Sequence, residues 1–173
     1  MVWRGSNTLQ DRIFSCLVYI VPMLDLLIHG FAGPLFQMLP FLNILFLPVI
    51  LVLPFYAFNY RGFPLVSFAI FFGLFIGVVR NSKLSHFLRF HTMQALLLSI
   101  FVFLCGALID LLGFTRALIS IPTSVVEGLF WQSIMTLIFI VVLGAVIYSI
   151  IQAVKGLYAE MPVISNAVYR IVG

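Results

Sequence analysis

The residues able to do chemistry in this chain are few enough to weigh one at a time. His86 and His91 stand five apart, so on a helix they point to different faces and make a poor metal pair, and His29 stands alone. Asp25 and Asp110 each lie near the end of an apolar run. A carboxylate in hydrocarbon is expensive, so each is a functional-site hypothesis by default, against the plainer reading of a helix end among headgroups. Gln94 and Ser99 can hydrogen-bond between helices. Gln132, Thr136, Gly144, Tyr148 and Gln152 fall on one i±4 ridge interrupted by Ile140, which reads as a helix-packing ridge or, less simply, as the lining of a water path. Cys16 and Cys105 sit inside apolar runs as buried thiols. There is no HExxH, GxSxG, glycine-rich phosphate loop, CxxC pair or helically spaced carboxylate pair. The expectation is therefore no catalytic, metal-binding or cofactor-binding residue, and a protein that is not an enzyme.

The densest polar stretch is RNSKLSHFLRFHTMQALLLSI, residues 80–100, which places two arginines, one lysine and two histidines within its first twelve positions. What positions such a stretch follows from composition. The 173 residues are 64% hydrophobic and 8% charged. A soluble domain of this size still leaves about 30% of its unfolded-chain surface in water, which so apolar a chain cannot tolerate. The solvent must be a bilayer. Residues 62–79 and 128–154 carry no charge, and residues 90–109 carry only a histidine. Each run matches the roughly 20 residues that a helix needs to cross hydrocarbon. The roughly 10-residue alternation of barrel strands is absent. The net charge of +4 lies between greasy runs, where it orients the chain and meets anionic headgroups rather than nucleic acid.

The expected fold is all-α: a single polytopic membrane domain over residues 1–173, with spans at about 13–30, 62–80, 90–112 and 128–154. Pro22 should kink the first span. Residues 31–60 are apolar yet hold four of the eight prolines (34, 40, 48 and 54), so a broken, re-entrant or interfacial segment is expected there. Charge supports that choice. With four spans and the N-terminus inside, Arg4, Arg12, Arg80, Lys83, Arg89, Lys155 and Arg170 lie inside and only Arg61 and Arg116 outside, seven against two. A fifth crossing at 41–58 would leave four inside and five outside, against the positive-inside rule. The cationic stretch is then the inner loop between the second and third spans. Gly73 and Gly77 form a weak GxxxG contact motif. After Lys155, GLYAEMPVISNAVYRIVG offers Gly156 as a helix stop and a short amphipathic tail.

RNSKLSHFLRFHTMQALLL resembles the signature loop and third-span start of the family of the twenty-kilodalton Tic subunit, the membrane core of the chloroplast inner-envelope import translocon. KGLYAEMPVISNAVY is similar to that family's C-terminal motif, an aromatic–Ala–acid–apolar–Pro run. WRG…DRIFSCLVYIVPMLD is similar to its opening, in which an acidic residue follows the proline as Asp25 follows Pro22. The resemblance implies four spans, both termini on the stromal or cytoplasmic side, and a part in moving unfolded preproteins alongside other Tic subunits, with lipids and a second copy of the chain as further partners. The location it implies is the plastid inner envelope or a cyanobacterial plasma membrane. Nothing resembling an Arg/Ser-rich transit peptide precedes the first run, so the expectation is either a mature form or a cyanobacterial or plastid-encoded one. The competing functions are a small-solute or amino-acid transporter and a non-conducting structural subunit. Arg80, Arg89, His91, Gln94, Tyr158, Glu160 and Pro162 are the expected inner-rim contacts. Asp25, Asp110, Gln132 and Thr136 are the expected intramembrane polar residues. A cation in the first turn of a helix opposes the macrodipole. Arg89 therefore needs a compensating anion, and Glu160 in the tail is the expected one.

Overall fold

The computed structural model describes residues 8–119, 125–161 and 164–172. Helix α1 (Leu9–Val18) begins at a capping box: Asp11 N–H donates to Thr8 Oγ1 at 3.2 Å, and Thr8 N–H donates to Asp11 Oδ2 at 3.0 Å. The helix stops at Tyr19, and α2 (Ile20–Ile28) follows at once. Pro22 explains the site of the break. It has no N–H for the carbonyl of Val18, and its ring crowds that carbonyl, so the interruption falls one turn before the proline. α2 ends with Gly30 at φ 73° and paired bonds from Gly30 to Leu27 and from Phe31 to Leu26, a Schellman closure that needs a residue without a Cβ strain penalty.

The proline-rich stretch forms α3 (Gly33–Met38), α4 (Phe41–Leu45) and α5 (Leu47–Tyr56). Pro34 and Pro48 occupy first turns, where a missing N–H costs nothing, and Pro40 caps α4. Pro54 lies inside α5. Tyr60 and Phe63 then pair across a two-residue turn made by Arg61 (φ 51°) and Gly62 (φ 85°). Helix α6 (Leu65–Leu74) continues into a π-helical turn, Phe75–Val79.

Helices α7 (His86–Ile119) and α8 (Val125–Lys155) are the long ones. Within them His86–Gly113 and Gly128–Lys155, 28 residues each, are long and apolar enough to cross a membrane. At 1.5 Å per residue each reaches about 42 Å, more than the roughly 30 Å hydrocarbon core. Ser85 Oγ accepts from Leu88 N–H at 3.3 Å and so caps α7. Gly156 ends α8 at φ 74°, with Gly156 N–H bonded to Ala153 and Leu157 N–H to Gln152. α9 (Ile164–Val172) buries Ser165, Val168 and Val172 along one face. The described residues are all-helical apart from turns and the single Tyr60–Phe63 bridge.

α7 is the hub, packed by α1, α2, α8, α9 and the π turn. Six successive residues, His91 to Leu96, are buried, as only a helix enclosed on all sides allows. α8 presents Phe139, Val142, Val146, Ser149 and Ala153 inward, a 3–4 spaced stripe. That stripe displaces the expected packing ridge. Gln132, Gly144 and Tyr148 are exposed, and a Cβ on Gly144 would touch nothing within 4 Å. Gly73 and Gly77 are likewise open, so within one chain neither motif makes a close helix contact. One end of the bundle collects the start of α1, the end of α8, the 80–85 loop and the end of α9. Arg12 reaches the Val154 carbonyl at 3.4 Å, and Ser85 of the loop lies near the Asp11 carboxylate.

Candidate functional site: a polar clamp on the segment after α8

Between α8 and α9 residues 158–160 belong to no helix, so their backbone groups and the Leu157 carbonyl need partners from elsewhere. The first turns of α7 supply them. His91 Nε2 lies 3.2 Å from the Leu157 carbonyl, and Gln94 Nε2 donates to the Ala159 carbonyl at 2.9 Å. A carbonyl only accepts, so the His91 proton sits on Nε2 and Nδ1 is left as an acceptor. Tyr19 fills that role from the α1–α2 break, with its hydroxyl 3.0 Å from Nδ1 and 3.4 Å from Gln94 Oε1. Tyr19 has one proton to give, and the shorter contact takes it. Tyr19, His91 and Gln94 are all fully buried.

The side chain of Tyr158 enters a box of rings: Phe90 at 5.0 Å, Phe87 at 5.5 Å, His86 at 5.7 Å and His91 at 6.5 Å between centroids. Its hydroxyl pairs with His86 Nδ1 at 3.1 Å. Ser165 closes the far side, accepting from Met161 N–H at 2.6 Å and donating to Ala159 O at 3.4 Å. Glu160 is exposed and accepts from Tyr169 at 3.2 Å. Pro162 lies outside the described residues.

Arg89 does not pair with Glu160. Its Nε donates to Val79 O at 2.8 Å and its Nη2 to Val172 O at 2.9 Å. These are the last carbonyls of the π turn and of α9, where unpaired C=O groups carry the negative end of the helix dipole. Two helix ends therefore provide the compensation expected of a carboxylate. Arg80 is exposed at the start of the loop. At the start of α1, partial burial works to raise the Asp11 pKa, but the hydrogen-bonding groups of Thr8 and Ser85 outweigh it and hold the carboxyl below its usual value.

The intramembrane polar candidates lie apart from this clamp. Asp25 accepts from Tyr56 at 2.8 Å, and His29 Nδ1 donates to the Asp25 backbone carbonyl at 2.9 Å. Asp110 is exposed on a cavity of about 320 Å³ that it shares with His29. Thr136 returns its hydroxyl to Gln132 O at 2.8 Å, and Gln132 itself is exposed. Among the described residues no group of three His, Cys, Asp or Glu is gathered to hold a metal. Sequence reasoning missed Tyr19, Tyr56 and Ser165. A tyrosine in an apolar run reads equally as an interfacial anchor, so its pairing with a residue 72 positions away left no local signal.

An all-α chain of this hydropathy, with two spanning-length helices, has the architecture of a membrane protein. It belongs to the Tic20 family: the family model described as chloroplast import apparatus Tic20-like matches residues 8–168. A Tic20 family protein of Synechocystis is 40% identical over 160 residues, covering 92% of this chain and 91% of the relative. Protein TIC 20-II, chloroplastic, of Arabidopsis thaliana is 39% identical over 90 residues, 52% of this chain and 40% of the relative. A Tic20 family protein Ycf60 of Gracilaria tenuistipitata is 33% identical over 164 residues, 93% and 74% respectively. Of the three stretches that carry the resemblance, those around His91 and Tyr158 form the two halves of the clamp, and the opening stretch supplies Tyr19.

Proposed function

We propose that this chain is a membrane-embedded subunit of a protein-translocation apparatus, working in the plastid inner envelope or as the cyanobacterial plasma-membrane form, and moving unfolded preproteins together with other Tic-type subunits. The observation that carries this reading is the family match over residues 8–168, which takes in both halves of the clamp. A four-crossing path is proposed with it: α1–α2, α6 with its π turn, α7 and α8 cross, while residues 31–60 lie along the outer leaflet. The gathering of Arg12, Arg89, Val154 and Val172 at one end supports both termini facing one side, as does the seven-to-two charge bias.

The inner rim is proposed to consist of Arg80, Arg89, His91, Gln94, Tyr158, Glu160 and Pro162, with the buried clamp fixing the rim's shape and the exposed charges docking partners. Gln132, Gly144 and Tyr148 of the ridge face outward from the single chain, which favours a conducting path assembled between subunits over one bored through α7 and α8. The test is purification of the tagged full chain from its native membrane in mild detergent while a preprotein is arrested in transit. The expected result is recovery of the passenger cross-linked to a probe at Ser82, together with import or secretion subunits. Recovery of the chain alone, with no passenger adduct, would sink the reading.

A further inference from the structure

On the side of α2 away from α8, a cavity of about 460 Å³ lies between α2, α5, α6 and α7. Its walls include Phe68, Phe72 and Phe103, and its polar groups include Asp25, Tyr56 and Ser99. Ser99 is fourteen residues into α7, about 20 Å from the helix start, so the cavity lies well inside the apolar length of that helix. The volume falls within the 300–1,000 Å³ usual for small-ligand sites.

Asp25 is the unusual member. Tyr56 satisfies one carboxylate oxygen at 2.8 Å. Ser99 is 4% exposed and lies beside the carboxylate, yet its hydroxyl completes no hydrogen bond of full geometry. No lysine or arginine among the described residues lines the cavity. The His29 Nδ1 proton is committed to the backbone carbonyl of Asp25. A carboxyl group, an idle hydroxyl and aromatic walls thus converge on a space lined, among the described residues, by no lysine or arginine, with the His29 ring as its one basic neighbour. A primary ammonium on an apolar stem fits all three: it pairs with Asp25, donates to the Ser99 oxygen, and lays its charge and stem against ring faces. We propose that this cavity is a binding site for such an ammonium group, reached from the lipid or the outer side. The assignment stands independently of the translocation role.

The test uses the full chain in phosphatidylcholine nanodiscs, with hexylammonium, hexanol and hexanoate as probes and apparent affinity read from the rise of the thermal midpoint with probe concentration. Hexylammonium should bind at least tenfold tighter than hexanol, and hexanoate should bind weakest. Asp25→Asn should erase the preference for the ammonium. Ser67→Trp, which fills the mouth and leaves Asp25 in place, should weaken both hexylammonium and hexanol at least tenfold. Equal binding of hexylammonium and hexanol overturns the proposal. So does an unchanged preference in Asp25→Asn, or full affinity in Ser67→Trp. Displacement of hexylammonium by phosphatidylethanolamine in the disc assigns the site to a lipid amine. Displacement by acetyl-Leu-Lys-Leu-amide, but not by its norleucine counterpart, assigns it to a lysine side chain. Either result upholds the ammonium site.

Discussion

The Tyr19 hydroxyl donates a hydrogen bond to His91 Nδ1 across 3.0 Å, and His91 Nε2–H donates to the Leu157 carbonyl at 3.2 Å. The break between α1 and α2, the start of α7 and the segment after α8 are therefore joined by one imidazole whose tautomer is fixed from both sides. Tyr19 and His91 are fully buried and the Leu157 carbonyl is reached at a part-buried contact, so the bonds to the imidazole are held less by their own strength than by what their absence would leave unpaired.

Tyr19→Phe removes a single oxygen and strands His91 Nδ1 in the core. Leaving a buried acceptor unpaired costs about 1–3 kcal/mol, so the variant should unfold earlier by that amount in a reversible denaturation in mixed micelles. His91→Phe removes the donor to Leu157 as well, and its loss should exceed that of Tyr19→Phe. A Tyr19→Phe variant as stable as the parent would show that the hydroxyl is not the partner of His91.

How much of this was readable beforehand depended on the range of the signal. The run lengths of α7 and α8, the stop at Gly156 and the helix break near Pro22 are local effects of hydropathy, a glycine at positive φ and a missing N–H, and each appears at or near the expected position. The residues of the clamp were visible as types, because His91, Gln94 and Tyr158 are costly to bury and stood out from an apolar background. Their partners were not visible. Two of the acceptors are backbone carbonyls, of Leu157 and Ala159, and no side-chain pattern marks which carbonyls a segment leaves unpaired. The same blindness produced the mistaken Arg89–Glu160 pair: charge invites a search for opposite charge, whereas the guanidinium found two helix ends.

Gly156 illustrates two constraints at one position. Its φ of 74° disfavours any L side chain, and a Cβ there would come within 2.8 Å of Arg12 Nη2. Gly156→Ala should therefore destabilise the chain by about 1 kcal/mol from the left-handed backbone, with a further loss from displacing Arg12. In an Arg12→Ala background the second part should vanish and the first remain. Measuring unfolding midpoints for the two singles and the double separates them, and strict additivity would show that Arg12 does not feel the added methyl.

Arg89 offers a sharper contrast. Because its guanidinium holds Val79 and Val172 carbonyls, Arg89→Lys, which keeps the charge but loses the two-pronged donor set, should release α9 nearly as much as Arg89→Met. Proteolysis at the end of α9 is the readout. The charge exchange Arg89→Glu with Glu160→Arg should be no better than Arg89→Glu alone. Restoration by the exchange would mean that the two side chains do pair in the membrane.

The path through the bilayer is tested by single cysteines in a chain whose Cys16 and Cys105 are replaced by alanine. Gln10, Ser82, Arg61 and Asn166 are all exposed, so labelling at these positions reports the side of the membrane rather than burial. With four crossings, Gln10→Cys, Ser82→Cys and Asn166→Cys should react with an impermeant maleimide from one face and Arg61→Cys from the other. A fifth crossing through α4 and α5 would move Ser82 and Asn166 together to the face opposite Gln10. That arrangement would pull Arg12 away from Val154, which lies 3.4 Å from it, and would leave the Gly156 end of α8 without the guanidinium packed over it. Gln10 reacting alongside Arg61 is the outcome that would overturn the four-crossing path. Gln10 reacting alongside Asn166 is the one the Arg12–Val154 contact requires.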